Sequence, residues 1–236
     1  MTTPHTVRIG PATLYLGDAY AIRPTLGFFD ADVMDPPYEF NNSGGGAWRK
    51  ARGASDQIVS EGLTEGFDRF IINPMLCGAV MVFCHNDQLP RLLPYLDGSF
   101  HRFALCVWTK PNPAPHRNKN YLPDLEPYLH AWNRGFHPVG EHHDMHRHVS
   151  AKSSPSKFYD HPTVKPDDVM VKIMANVNGR TICDPFMGTG STGVAAIRLG
   201  KRFTGIEHNP KHFATAVKRI TVAVDRRYPN WRNLAA

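Results

Sequence analysis

One stretch limits what this chain can fold into: Thr181-Ile182-Cys183-Asp184-Pro185-Phe186-Met187-Gly188-Thr189-Gly190-Ser191-Thr192-Gly193. Thr181 to Cys183 suit a buried strand, with Asp184 at its carboxyl end. Gly188 and Gly190 follow, the residue type that lets a backbone take positive φ and lets a ligand approach closely. Ser191 is a good N-cap type, and a helix is expected through Val194-Ala195-Ala196-Ile197 to Gly200, a C-capping glycine. A second strand, Arg202-Phe203-Thr204-Gly205-Ile206, ends in the acid Glu207. Strand, glycine turn, helix, strand, acid is the layout of a site for a nucleotide-type cofactor, in which the acid takes ribose hydroxyls. The spacing is not GxGxxG, so a dinucleotide is the weaker reading.

A partner stretch makes the signal specific. Ala31-Asp32-Val33-Met34 reads as another short strand that ends in an acid, Asp35, followed by Pro36, Pro37 and Tyr38. Each proline fixes φ and removes a donor, so the turn is rigid and can hold the Asp35 carboxylate and the Pro36 carbonyl outward, with Tyr38 at the rim. Asp35-Pro36-Pro37-Tyr38 resembles the DPPY motif of the DNA amino-methyltransferases. Asp184-Pro185-Phe186-Met187-Gly188-Thr189-Gly190 resembles their S-adenosylmethionine motif. The catalytic motif comes first, which is similar to the permuted, β-type order of that family.

The resemblance implies an α/β methyltransferase fold, with a mostly parallel seven-stranded sheet, one strand of it antiparallel, and helices on both faces. It implies S-adenosylmethionine as cofactor, S-adenosylhomocysteine as product, and no metal. It places Gly17-Asp18-Ala19 beside the cofactor adenine, with Asp18 accepting from its amino group; by themselves these residues also read as a turn after an edge strand. His161, Thr163 and Lys165 match a further cofactor motif, and they read equally as a proline-rich hinge before an N-capped helix. The implied cofactor site is Asp18, Ala19, Asp35, His161, Thr163, Lys165, Asp184, Phe186, Gly188, Thr189, Gly190, Ser191, Thr192, Glu207 and His208. The implied catalytic turn is Asp35, Pro36, Pro37 and Tyr38.

At 236 residues the chain is expected to be a single domain, 1–236, with a full core. A net charge of +6 suits an anionic partner without demanding one. The polar N-terminus and the lack of a long apolar run predict neither a leader nor a membrane span. Cys77, Cys84, Cys106 and Cys183 form no CxxC pair and read as reduced core residues of a cytoplasmic protein. Strands are expected at Thr13–Leu16, Ala79–Cys84, Phe103–Trp108 and Pro127–Trp132. Helices are expected over Phe67–Cys77, Leu89–Leu96, the Val169–Val177 region and the segment after Asn209-Pro210. Lys211, Lys218, Arg219, Arg226 and Arg227 would form a solvated face of the last one. Gly44-Gly45-Gly46, with Arg49, Lys50 and Arg52 nearby, reads as a surface loop or as a mobile lid beside the catalytic turn.

Between about 110 and 160 the composition turns to proline, histidine and basic residues, where β-type relatives place an inserted target-recognition region. His142-His143-Asp144-Met145-His146-Arg147-His148 admits a zinc site as a rival reading, without nearby cysteine or an HExxH helix to support it.

The residue types suit one chemistry. An exocyclic amine on a nucleobase is a poor nucleophile, because its lone pair is delocalised into the ring. Two acceptors, the Asp35 carboxylate and the Pro36 carbonyl, would hold its N–H groups and help the nitrogen become tetrahedral. The base must leave the duplex, and Tyr38 would offer a face to stack it on. The expectation is an adenine-N6 methyltransferase acting on double-stranded DNA as a homodimer. The alternatives are cytosine-N4 methylation, a non-DNA N-methyltransferase, and a non-catalytic DNA-binding protein.

Overall fold

The computed structural model describes residues 4–38, 66–113, 121–153 and 165–234. Among these residues nine strands form one sheet. They are β1 (His5–Ile9), β2 (Ala12–Leu16), β3 (Phe29–Met34), β4 (Cys77–Phe83), β5 (Arg102–Thr109), β6 (Leu125–Trp132), β7 (His148–Ser150), β8 (Thr181–Asp184) and β9 (Arg202–Glu207). The order across the sheet is β1-β2-β9-β8-β3-β4-β6-β5-β7. Strands β2, β9, β8, β3 and β4 pair in parallel, and β6 runs against both β4 and β5. The seven strands from β2 to β5 thus carry the single reversed strand expected from sequence. Two further strands extend the edges, β1 antiparallel to β2 and β7 parallel to β5. Because β1 covers it, β2 is not an edge strand.

The described helices are α1 (Ala19–Ile22), α2 (Leu89–Ser99), α3 (Asp167–Ala175), α4 (Ser191–Arg198) and α5 (Pro210–Arg227). They lie on both faces. Val169, Met170, Ile173 and Met174 of α3, Val194 of α4 and Phe213 and Ile220 of α5 pack in one apolar layer with Ala79, Met81 and Phe83 of β4. Ile22 of α1 and Leu92 and Leu96 of α2 pack in the other layer with Val80 and Val82. The unbroken apolar run of β4 follows, since both of its faces are covered. Each Val, Leu, Ile, Phe or Met among them contributes about 1.5–3 kcal/mol on burial.

Several sequence expectations are corrected. The Phe67–Cys77 helix is a single turn, Arg69–Ile71, leading into β4. Asp68 and Asn73 side chains accept from the amides of Phe70 and Met75 and hold turns there, and Phe70 and Met75 are exposed. Ser191 is not the N-cap of α4: Gly190, at φ +88°, occupies that position, and the Ser191 hydroxyl donates to the Lys165 carbonyl at 3.1 Å. Arg219 leaves the solvated face of α5 to donate to Asp167 Oδ1 at 3.0 Å and to the Thr189 carbonyl at 2.9 Å. Strand β6 and the short β7 both belong to the sheet, so the described part of 110–160 is not all insertion. In one flank of β6, Lys172 of α3 donates to the Asp144 and His146 carbonyls, both at 2.9 Å.

Candidate active site

Parallel pairing brings the carboxyl ends of β2, β9, β8 and β3 to one edge of the sheet. The chain leaves β8 through α4 toward β9 on one side, and leaves β3 toward β4 on the other. Asp184 and Asp35 flank that divergence, where open α/β sheets bind ligands. Asp32, three residues before Asp35, is not part of this edge. It is buried against Arg23, whose Nε and Nη2 donate to its two oxygens at 3.0 Å, and burial pushes it up to about 6 against that pairing.

The turn after β3 holds a five-residue polar network. The Lys165 ammonium donates to Asp35 Oδ2 at 2.5 Å, to Glu126 Oε1 at 2.8 Å and to the Tyr38 oxygen at 3.3 Å. The Tyr38 hydroxyl lies 2.8 Å from Asp35 Oδ1 and 2.6 Å from Glu126 Oε1. Having one proton, it donates to one of them at a time. Lys110 closes the chain on Glu126 Oε2 at 2.5 Å, with its ammonium 4.5 Å from the Trp108 ring centre. Burial raises the Asp35 pKa above the ordinary carboxylate value; Lys165 opposes the rise and Glu126 adds to it. Burial would raise Glu126 too, but Lys165 and Lys110 overcome it and hold that acid at about 2.

Two expectations change here. Tyr38 is half-buried with its hydroxyl turned inward, not free at a rim. Lys165, expected beside the cofactor, is bonded to the Asp35 carboxylate. Pro36 is buried, and the Pro37 carbonyl accepts from Gln88 Nε2 at 3.3 Å, which fixes the turn from its far side. Glu126 and Lys110 were missed. The available signal was a lone acid in the apolar run Leu125–Trp132, since a buried carboxylate requires a partner.

The glycine turn after β8 is held by acids. Asp184 is buried, accepts from the Phe186 amide at 2.9 Å, and is pushed up to about 7 by burial. Glu207 Oε2 accepts from the Gly188 amide at 2.9 Å, and Oε1 from the Asn209 amide at 2.7 Å. His208 is exposed, 3.4 Å from Glu207 Oε1. Gly188 has φ +54°, and a Cβ placed there would meet nothing nearer than 4.0 Å. Gly190, in contrast, is packed against Ala216 of α5, 3.1 Å from where its Cβ would stand. Thr189 and Thr192 are buried. Phe186 is half-buried, its ring edge-on to Tyr20 and Phe67 at 6.1 Å each. Asp18 is exposed and caps α1 by accepting from the Tyr20 amide at 3.0 Å, while Ala19 is buried. His161, Thr163 and the Gly44–Gly46 loop with Arg49, Lys50 and Arg52 lie outside the described residues.

These residues fit a nucleoside cofactor. The Gly188 backbone is open on one side, and Glu207 keeps lone pairs after its two amide bonds. Aromatic edges and the Asp18 carboxylate stand at the adjoining strand ends. A separate groove between α4 and α5, lined by Arg198, Lys218, Arg226 and Arg227, is bordered by none of these strand-end residues. No described helix is long and apolar enough to cross a membrane. Among the described residues no three histidine, cysteine, aspartate or glutamate side chains are grouped to hold a metal ion.

Known proteins share the sequence pattern and the fold. The family of N6/N4 methyltransferases described as DNA methylase matches residues 29–218. The type II methyltransferase M2.LlaDCHI of Lactococcus lactis subsp. cremoris is 28% identical over 221 residues, covering 81% of each chain. The type II methyltransferase M2.DpnII of Streptococcus pneumoniae is 27% identical over 221 residues, covering 81% of this chain and 82% of the relative. Among solved structures, the M1.HpyAVI–SAM complex is 26% identical with a TM-score of 0.64, covering 88% of this chain and 99% of the other. The cytosine-N4-specific PvuII DNA methyltransferase, 12% identical, shares the fold with a TM-score of 0.63 over 97% of each chain.

Proposed function

The chain belongs to the N6/N4 DNA methylase family and is an S-adenosylmethionine-dependent DNA methyltransferase, and from that premise we propose that its target is the N6 amine of an adenine flipped out of double-stranded DNA. The observation that carries this reading is the Asp35 carboxylate, presented at the carboxyl end of β3 across the divergence from Asp184 and the Gly188 turn. When bound, the cofactor supplies a methyl group on a sulfonium, a leaving arrangement that needs no covalent enzyme intermediate.

The protein's share is placement and charge. Asp35 accepts from one N–H of the target amine and the Pro36 carbonyl from the other. Asp35 also stabilises the positive charge that develops on the nitrogen. Its two oxygens are held by the Tyr38 hydroxyl and the Lys165 ammonium, donors that give way to the amine. Glu207 takes the ribose hydroxyls while fixing the Gly188 amide. Asp18, Ala19 and Phe186 border the adenine. Asp184, Thr189, Gly190, Ser191 and Thr192 shape the turn, with His208 at its rim, and His161 and Thr163 are assigned to the cofactor by resemblance. The flanks of β6 within 110–160 hold the contacts that read sequence. A homodimer is proposed from resemblance; a monomeric mass by light scattering with full activity refutes it.

Adenine rather than cytosine rests on Asp35, where the cytosine-N4 enzymes the chain resembles more often carry serine. Methylated duplex DNA digested to nucleosides tests it. N6-methyladenine is the expected product. N4-methylcytosine alone overturns the choice of base, and label that never enters DNA overturns the DNA reading as a whole.

A further inference from the structure

We propose that Glu126 is a positioning residue for the transfer step: its carboxylate keeps the Lys165 ammonium and the Tyr38 hydroxyl partnered when Asp35 exchanges them for the target amine. This rests on Asp35 being the amine acceptor. Lys165 has three N–H donors and three acceptors around them, Asp35, Glu126 and Tyr38, at 2.5, 2.8 and 3.3 Å. Tyr38 has one proton within reach of Asp35 and Glu126. Both donors that hold Asp35 are therefore already within hydrogen-bond distance of Glu126.

The alternatives to sharing are costly. A buried ammonium that lost its only carboxylate would be left uncompensated, and one with only Asp35 to pair with would hold it fast. Glu126 solves both. Its side chain is 10% exposed against 26% for Asp35, so it is the less accessible of the two acids. Lys110 on its other oxygen keeps it charged. The two acids consequently have different environments, one fixed as an anion and one free to change partners. The charged and titratable groups around Asp35 are Lys165, Tyr38 and Glu126, with Asp184 acting from β8.

Glu126→Gln removes a negative charge from beside Asp35 and gives Lys165 to Asp35 undivided. The kcat plateau is expected to fall roughly tenfold to a hundredfold, as for misplacement of a reacting group. Affinity for S-adenosylhomocysteine should stay within about twofold. The acid limb of the kcat profile should move to lower pH by roughly one unit, because both changes favour ionised Asp35. Glu126→Asp keeps the charge and should return the limb toward its original place. Lys110→Met, which removes a nearby cation and leaves Lys165 as the cation pairing Glu126, draws Lys165 away from Asp35 and should move the limb the opposite way. The carboxyl 13C titration of Asp35 in DNA-free protein should follow the same order of midpoints. An unmoved limb and midpoint in both the Gln and Met variants overturns the proposal and reduces Glu126 to a packing role. So does a Gln variant with wild-type kcat. Because the titration needs no DNA, ordered midpoints in a protein that transfers nothing to DNA would sink the proposed function and leave the Glu126–Asp35 coupling standing.

Discussion

The Glu207 carboxylate accepts from the Gly188 amide at 2.9 Å, so the acid that ends β9 holds the turn that follows β8. The same oxygen pair braces the Asn209 amide at 2.7 Å. Glu207 thus sets the shape of the glycine turn, in addition to the ribose contact proposed for it. Its replacement by alanine removes a charge-assisted contact worth about 1.5–3 kcal/mol. Affinity for S-adenosylhomocysteine should fall roughly tenfold or more by calorimetry. An unchanged dissociation constant would take Glu207 out of the site.

The two glycines of the turn should respond differently to alanine. At Gly190 a methyl group meets Ala216 of α5 at 3.1 Å as well as a positive φ. Gly190→Ala is expected to lower unfolding stability by about 1–3 kcal/mol. At Gly188 the space is open and only φ +54° opposes the side chain, at a cost of about 1–2 kcal/mol. Its larger effect should be on cofactor binding, because the methyl group occupies the open side. Denaturant melts paired with calorimetry separate the two, and equal loss of stability with no loss of binding at Gly188 would contradict the assignment.

His130 of β6 is buried and held down to about 4, and its Nε2 has no hydrogen-bond partner among the described residues. An unfolded histidine titrates near 6.5, so the unfolded chain binds more protons between about pH 6.5 and 4. Stability that is fully present above pH 6.5 is therefore lost on acidification, by about 3 kcal/mol from this group. Asp184 and Asp32, raised to about 7 and about 6, act in the opposite sense. The difference between wild type and His130→Phe isolates the histidine. The variant should lose less stability than wild type from pH 6.5 to 4, and parallel curves would exclude a buried neutral imidazole.

The parts legible in the sequence were those with local rules. Alternating strands and helices, the Asp35 and Asp184 strand ends and the Gly200 stop of α4 all follow from periodicity, proline and glycine. What escaped was long-range. Glu126 lies 39 residues from Lys165 and 88 from Tyr38 in sequence, and only the antiparallel insertion of β6 beside β4 brings it to them. The Arg219 link to Thr189 and Asp167 was hidden for the same reason: helical spacing reports a face, not which of its cations reaches back. The Phe67–Cys77 helix failed because side-chain turns at Asp68 and Asn73 compete with helical backbone bonds.

Sequence reading is assigned to the segments on either side of β6, residues 110–124 and 133–160. Exchanging them for a relative's, with β6 retained, should change which DNA sequence is methylated while cofactor affinity stays put. If specificity instead travels with the Gly44–Gly46 loop, the assignment is wrong.

Asp35→Ala, assayed in parallel for single-turnover methyl transfer to DNA and for S-adenosylhomocysteine binding, tests the division of labour between the two strand ends. Transfer should fall by roughly a hundredfold to a thousandfold, as for removal of a transition-state hydrogen-bonding group. The dissociation constant should stay within about threefold of wild type, a change of less than about one kcal/mol. Transfer at the wild-type rate would contradict the role given to Asp35.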